Sequence, residues 1–464
     1  GNRNFYCAAA EWSVDKQTTE ETKAAFVQLI HDTELVGVPL NIRAGIRYEE
    51  TTVNSRAVVP RYNQTSWSGG NEISLVAEEY IDEKGKKKIA SDLVNDSGKY
   101  ELFLPNLDLN FEIMDELVAR ASVSKTVTRP DFDAIKGGTT ADSPIYRLSG
   151  ASASRGNPGL KPIESLNYDL SLEWYYGDTD YLSLGYFKKD VDNFIGRTSS
   201  EEFLWDLYDV TRGGKYEQTA KENDLQRSDL SDIAGILKVG TEELPKLVSK
   251  SPEEVAAVNG DIKNVNERLP FDVSYPVNNK NALVYGLEFN VQHNFGESGF
   301  GFILNYTKPW SSVGYDPVVT TKECEYDSDE ERAAADPDVV CLEEQFALSG
   351  LSESANLIAF YDKDGKSLRF AYNWRDDFFA GNGQNQGAVY DTKGRKVGNN
   401  PSYAADYGQL DVSASFEVNE NLTLFMDGLN ITNSYNRSYG RNEMQILNVT
   451  QTGPRYTLGF RYSL

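Results

Sequence analysis

The chain has 464 residues, with 71 acidic and 46 basic side chains and a formal charge of −25. This charge argues against a nucleic-acid partner, because phosphates would be repelled. No apolar run reaches the about 18 residues of a membrane-spanning helix, which excludes a helical membrane protein but not a β-barrel, whose strands alternate apolar and polar residues. The 27 Tyr, 21 Phe and 37 Gly, with 3 Cys and 3 Met, are typical of a β-rich secreted or envelope protein.

Segments of about ten residues with period-two alternation recur along the chain and predict antiparallel β-strands. In one of them Tyr168, Leu170, Leu172, Trp174 and Tyr176 share a face, and mostly polar residues lie between them. Aromatic rings at both ends of an apolar stripe are typical of a strand that crosses a bilayer. In chain order, the prediction is one weaker segment at 12–35 and about twelve stronger ones at 40–49, 100–112, 117–124, 168–176, 182–187, 283–292, 300–306, 354–362, 368–375, 410–417, 422–433 and 455–464.

Short connections, such as 177–180 and 363–366, alternate with long ones. This is typical of a transmembrane barrel with short periplasmic turns and long extracellular loops, and it places Leu464 at the periplasm. The longest loop, 196–280, is predicted to contain short helices, because Ser251-Pro252-Glu253-Glu254 resembles a helix start. A second long extracellular loop is predicted at 308–352. Gly1 to Asn4 begin no signal peptide, so we expect that an exported chain has been processed or truncated.

Six motifs in order resemble the barrel of TonB-dependent receptors, in the branch common in aquatic and plant-associated Gram-negative bacteria. They lie at 38–51, 124–132, 156–162, 187–195, 427–433 and 453–459. The resemblance implies that residues 1–464 form the C-terminal part of an all-β, antiparallel transmembrane barrel, with about 12–13 of an expected 22 or so strands. It also implies an N-terminal plug and further strands outside this chain, and a TonB complex that acts through the plug. One departure is the terminal Leu464, where such barrels usually carry an aromatic residue.

Cys324 and Cys341 lie in the predicted extracellular loop 308–352, and we expect a disulfide between them, because disulfides form and persist outside the cell. On the chain-entropy model it would stabilise the loop by roughly 3 kcal/mol. Cys7 is left without a partner in this prediction.

An acidic run at 325–331 raises a calcium hypothesis for Asp327, Asp329 and Glu330, since clustered carboxylates suit hard cations. The favoured interpretation is a solvated acidic loop, because the run lacks the glycine and the ligand spacing of an EF-hand.

Two sets of side chains are candidates for ligand contacts. Arginines on polar faces are predicted to point into the lumen, where they either pair with carboxylates such as Asp169, Glu173, Asp411 and those of the plug, or bind a ligand. They are Arg43, Arg47, Arg120, Arg369, Arg375, Arg455 and Arg461. Loop aromatics could stack on a ligand or simply shield the loop backbone. They are Trp67, Trp205, Trp310, Phe378, Phe379, Tyr390, Tyr403, Tyr407 and Tyr439.

No metal cluster, phosphate loop or catalytic triad is visible in the sequence, so we predict no enzyme and no cofactor. The family resemblance implies TonB-energised uptake of a scarce nutrient across the outer membrane, in contact with its lipid and lipopolysaccharide. An oligosaccharide is favoured as the nutrient, with a ferric siderophore or cobalamin as the alternative. A passive channel formed by an even number of strands, and an adhesin or phage-docking surface built from the loops, are the other hypotheses.

Overall fold

The computed structural model describes residues 15–69, 72–141, 145–146, 151–208, 214–225, 230–236, 248–249, 268–314, 347–382 and 401–463. In this part of the chain, thirteen long strands follow one another in a single antiparallel sheet, which we call the wall. They are β1 Asp15–Leu35, β2 Val38–Pro60, β3 Ser91–Met114, β4 Leu117–Thr128, β5 Ile163–Tyr175, β6 Tyr181–Tyr208, β7 Arg268–Asn294, β8 Phe300–Ser311, β9 Ser354–Lys363, β10 Lys366–Arg375, β11 Tyr407–Asn419, β12 Leu422–Leu429 and β13 Arg455–Tyr462. The predicted all-β antiparallel fold is confirmed.

Every wall strand pairs with the next one along the chain, which is the order expected for consecutive hairpins. The weakly alternating segment forms β1 and pairs with β2 from Asp15↔Val58 to Leu35↔Val38. Within the described residues the sheet ends at β1 on one side and at β13 on the other, so the wall is open. Because both edge strands are odd-numbered in an antiparallel series, they run in the same direction and could not close as an antiparallel pair. The thirteen described wall strands therefore cannot close into an antiparallel barrel by themselves.

The pairing register keeps apolar residues on one side of the wall. Leu170 lies between Ala121 and Tyr186, and Leu172 lies between Ala119 and Leu184. We call this side the apolar face and the opposite side the polar face. The leucines of the apolar face are exposed, with 55% of the surface of Leu170 and 78% of that of Leu458 accessible to solvent. A soluble protein rarely exposes so large an apolar surface, whereas the outward face of a transmembrane β-barrel is apolar.

Ring pairs mark the two ends of the apolar face. At one end Tyr48 contacts Phe103 with ring centroids 5.0 Å apart. At the other end Trp174 contacts Tyr176 with a separation of 4.9 Å. Aromatic side chains at both levels are typical of strands that cross a bilayer, with their rings near the headgroups.

The connections also differ between the two ends of the wall. Tight turns such as Val36-Gly37 and Asp364-Gly365, with φ of 55° and 79° and of 51° and 69°, define the short-turn end. Two positive φ angles in succession match the right-handed twist of the paired strands. All long connections lie at the opposite end, which we call the long-loop end.

Small elements fill the long-loop end. The helices are α1 Phe132–Ile135, α2 Gly214–Glu222 and α3 Leu230–Ile236, and a 3-10 turn, Gly296–Ser298, lies at the short-turn end. Short strands occupy Tyr62–Gly69, Glu72–Ala77, Glu79–Ile81, Lys87–Ile89, Thr140–Ala141, Ile145–Tyr146, Ala151–Ser154, Val248–Ser249, Phe378–Asn382, Pro401–Ala404, Asn436–Tyr439 and Ile446–Thr450. Of the described helices, none has the length and apolar character to cross a membrane.

The structure shortens the predicted loops 196–280 and 308–352. Strand β6 continues to Tyr208, β7 already begins at Arg268, and β8 ends at Ser311. Strands β6 and β7 extend beyond their apolar stripes, because they continue to pair with each other from Ile195↔Asn278 to Phe203↔Pro270. The predicted helix start at Ser251 lies outside the described residues.

The connection between β4 and β5 folds back over the polar face, and we call its described residues 129–141 and 151–162 the inward segment. Ile135 and Leu160 are buried there against Val53, Tyr100 and Leu102 of the wall. Each such side chain contributes roughly 1.5–3 kcal/mol. Gly98 permits this approach, because a Cβ at that position would overlap the carbonyl group of Pro158.

Candidate ligand-binding face

The polar face of the wall carries an open cavity of about 570 Å³, which is lined by residues of the consecutive strands β2 to β7. Arg120 donates to Oε1 of Glu173 at 3.0 Å and to Oδ1 of Asn110 at 2.9 Å. The hydroxyl of Tyr175 donates to Oε2 of Glu173 at 2.7 Å. Further lining side chains are Arg43, Asp108, Ser122, Asp169, Ser171, Ser183, Glu288 and Asn290. Hydroxyl, amide and carboxylate groups thus dominate this lining, which suits a polar ligand or a polar partner surface.

The polar face also carries the predicted lumenal arginines. Arg43 stands opposite Asp108, and Arg120 stands opposite Asn110, in register with the cavity. Arg369, Arg375, Arg455 and Arg461 alternate with the outward residues of β10 and β13 and therefore share this face. Of the carboxylates predicted as partners, Glu173 pairs with Arg120.

A buried carboxylate ties the inward segment to the wall. Oε1 of Glu49 accepts from Nε of Arg47 at 2.6 Å, and Oε2 accepts from Nη2 of Arg129 at 2.7 Å. Glu49 is only 6% exposed. Sequence reasoning named Arg47 but missed Glu49 and Arg129, although Glu49 has the same period-two position as Arg43 and Arg47. The bridge holds the start of the inward segment against β2.

A second cavity, of about 610 Å³, lies at the long-loop end between the inward segment and the wall. Trp205 lines it, and edge-to-face contacts with Tyr62 and Phe271, at 4.9 and 5.7 Å, hold its ring. The backbone of Trp205 is left-handed, with φ of 53°, a conformation that costs about 1–3 kcal/mol and tends to persist where the surroundings impose it. Arg155 also lines this cavity; it pairs with Glu202 at 2.8 Å and lies 4.9 Å from the ring of Tyr275.

Near the C-terminal strands, the predicted loop aromatics pack against one another. The rings of Tyr403 and Tyr439 stack at 5.3 Å, and Phe379 meets Tyr403 edge to face at 5.8 Å. Tyr439 is buried and donates its hydroxyl to Asp377. Burial, followed by this carboxylate, raises the pKa of Tyr439 above its ordinary value. These three rings therefore pack within the small loop sheet that their strands form.

Phe378 and Tyr407 lie apart from that stack, because both rings approach the guanidinium of Arg375, at 4.8 and 5.9 Å. Trp310 lies elsewhere, on the apolar face, where it stacks on Tyr285 at 5.7 Å. It has the period-two position of Leu304 and Tyr306, and this position indicates a membrane-interface ring rather than a ligand contact.

The remaining candidates lie outside the described residues. They are Tyr390, the expected disulfide partners Cys324 and Cys341, and the calcium candidates Asp327, Asp329 and Glu330. In the described part of the chain, no group of three or more His, Cys, Asp and Glu side chains has the arrangement of a metal site. The disulfide and the calcium site stay predictions.

A wall with one apolar face, aromatic rings at both of its ends, and polar cavities on the other face defines the chain as part of a bilayer-spanning β-barrel protein. A family model described as TonB dependent receptor-like, beta-barrel matches residues 2–431. The chain therefore belongs to the TonB-dependent receptors, a family of outer-membrane barrel proteins of Gram-negative bacteria.

The chain is also similar to solved structures. The chain is similar to the ferric-catecholate import receptor Fiu from E. coli K12, with a TM-score of 0.51, 10% identity, and coverage of 96% of this chain and 45% of that one. It is similar to the siderophore receptor PirA from Acinetobacter baumannii, with a TM-score of 0.48, 12% identity, and coverage of 96% of this chain and 55% of that one. It is also similar to the ferric yersiniabactin uptake receptor FyuA from Yersinia pestis, with a TM-score of 0.47, 12% identity, and coverage of 97% of this chain and 46% of that one. No curated protein matches the chain. The chain thus spans about half the length of the structures it matches, and at these identities the likeness concerns the fold alone.

Proposed function

We propose that this chain is the ligand-receiving part of the wall of an energised outer-membrane importer. The observation that carries the proposal is the polar face, whose two cavities, of about 610 and 570 Å³, lie one at the long-loop end and one further along the wall. A ligand would enter at the long-loop end, from outside the cell, and pass along this face toward the short turns at the periplasm. Volumes of about 300–1,000 Å³ are usual for small-molecule sites.

The energised step would depend on a plug and on the TonB complex, as the family membership suggests. The apolar face would contact membrane lipid and lipopolysaccharide. We infer no catalytic role, in keeping with a family of transporters.

Two ligand classes fit this proposal. The loop aromatics near amide and carboxylate groups suit an oligosaccharide, which the sequence favours. The similar solved structures are a ferric-catecholate import receptor, a siderophore receptor and a ferric yersiniabactin uptake receptor, so a ferric siderophore is compatible, while none of them supports a sugar.

The test is uptake by cells that carry the intact receptor. Labelled oligosaccharides and ferric siderophores are offered separately, with and without a protonophore. We expect one class to accumulate, and accumulation to stop when the proton gradient is dissipated. A steady ion conductance of the purified intact receptor in planar bilayers, with uptake insensitive to the protonophore, would instead establish a passive channel.

Two tryptophans give a matched pair of variants for the same assay. Trp205→Ala removes a ring that lines the long-loop cavity, whereas Trp310→Ala removes a ring on the apolar face. We expect the first to weaken ligand binding about tenfold, or about 1.4 kcal/mol, and the second to leave it unchanged. Equal effects of both would show that the cavity is not the entry site.

A further inference from the structure

Arg375 ends β10 on the polar face, at the long-loop end of the wall, opposite Ser354 and Tyr407. Its guanidinium carbon lies 4.8 Å from the ring of Phe378 and 5.9 Å from the ring of Tyr407. Its Nη1 is buried and donates no hydrogen bond to any group. Buried charged donors are almost always satisfied, and one that is not calls for a specific explanation.

Two other arginines of the polar side are paired with carboxylates. Arg120 pairs with Glu173 at 3.0 Å, and Arg155 pairs with Glu202 at 2.8 Å. Among the described residues, Arg375 is the one cation with a buried and unused donor.

The carboxylates next to Arg375 serve other groups. Glu353 accepts from Lys308 at 2.5 Å and from the hydroxyl of Tyr306 at 2.7 Å. Asp377 accepts from Tyr439. Asp411, further along β11, accepts from Gln409 at 2.7 Å and from the backbone N–H of Asn430 at 2.8 Å. Asp376, the next residue along the chain, accepts from the backbone N–H of Asp377 at 3.0 Å. Two aromatic rings thus flank Arg375, while these four acids have other hydrogen-bond partners.

We propose that Arg375 binds a carboxylate of the incoming ligand. A guanidinium is a planar fork of donors that matches a carboxylate with two parallel hydrogen bonds. The rings of Phe378 and Tyr407 hold the guanidinium by cation–π contacts, so less side-chain freedom is lost when the ligand binds. A ligand carboxylate that displaces the groups covering Nη1 then supplies the acceptor that the protein does not.

This inference rests on the proposed function and restricts its ligand to molecules that carry a carboxylate. The same carboxylate chemistry could come from a uronic-acid residue of an acidic oligosaccharide or from a carboxylate-type iron chelate. A neutral sugar would leave Nη1 unsatisfied.

The experiment measures binding to the intact receptor by calorimetry, with trigalacturonate, a neutral galactose trisaccharide, ferric citrate and inorganic phosphate as probes. We expect trigalacturonate or ferric citrate to bind, and Arg375→Gln to weaken that binding by about 10- to 100-fold. Arg375→Lys should recover part of the loss, because it restores the charge without the fork. The matched control is Lys366→Gln, which removes an exposed cation at the short-turn end of the same strand and should bind as the parent does.

Three results would overturn the inference: no binding of either carboxylate probe, equal affinity of the parent and Arg375→Gln, or a loss that is the same for the neutral trisaccharide. Tight binding of phosphate with no carboxylate binding would also overturn it. If a neutral ligand is imported under energy while both carboxylate probes fail, the proposed function stands and the role of Arg375 falls. Heat-modifiable gel migration of each variant confirms that the barrel is folded before binding is compared.

Discussion

Replacing Leu172 with arginine is expected to lower the free energy of unfolding of the intact receptor in lipid vesicles by about 2–4 kcal/mol. Leu172 lies on the apolar face of β5 between Ala119 and Leu184. A charge placed there would have to enter the hydrocarbon layer, where it finds no partner. The measurement is a denaturant titration of the receptor refolded into vesicles.

The control is the neighbouring residue on the same strand. Ser171 faces the polar cavity, close to Glu173, so Ser171→Arg meets water and acids instead of lipid. We expect a change of less than about 0.5 kcal/mol for this variant. If Ser171→Arg proved as costly as Leu172→Arg, the two faces would not differ in their surroundings.

Glu49→Gln is expected to loosen the inward segment. Glu49 is buried and bridges Arg47 and Arg129, so Glu49→Gln removes the negative charge and leaves one oxygen to accept from two guanidinium groups. Breaking a fully buried ion pair costs about 3–5 kcal/mol, and because both arginines are partly exposed we expect about 2 kcal/mol here. Hydrogen exchange of residues 131–139, which should become about tenfold or more faster, reports this opening.

Glu50 provides the comparison for this second prediction. It is the next residue, on the opposite face, and it pairs with Lys99 at 2.8 Å at an accessible position. Glu50→Gln should leave exchange in 131–139 nearly unchanged, because accessible ion pairs contribute little. Unchanged exchange in Glu49→Gln would show that the buried bridge does not hold the inward segment.

The sequence predicts the wall well because a bilayer imposes period-two alternation on every strand. The stripe of Leu170, Leu172 and Trp174 in β5 is visible without any knowledge of partners, and pairing only confirms it. Trp310 could have been assigned to the apolar face in the same way, since it continues the alternation of Leu304 and Tyr306.

The inward segment is harder to predict because it depends on contacts between residues distant in the chain. Ile135 is buried against Val53, and Gly98 gives room to Pro158, yet no local pattern links these positions. The same holds for the site. Arg375 is predictable as a polar-face residue, but its unused donor becomes visible only when the positions of Glu353, Asp377 and Asp411 are known.

The most direct test of the account compares two adjacent residues of β7. Spin labels are placed singly at Leu287, on the apolar face, and at Glu288, which lines the polar cavity, in the intact receptor in vesicles. We expect the label at 287 to be relaxed by oxygen dissolved in the lipid, and the label at 288 to be relaxed by a water-soluble nickel chelate. Labels that respond alike to both reagents would contradict a wall with lipid on one side and water on the other.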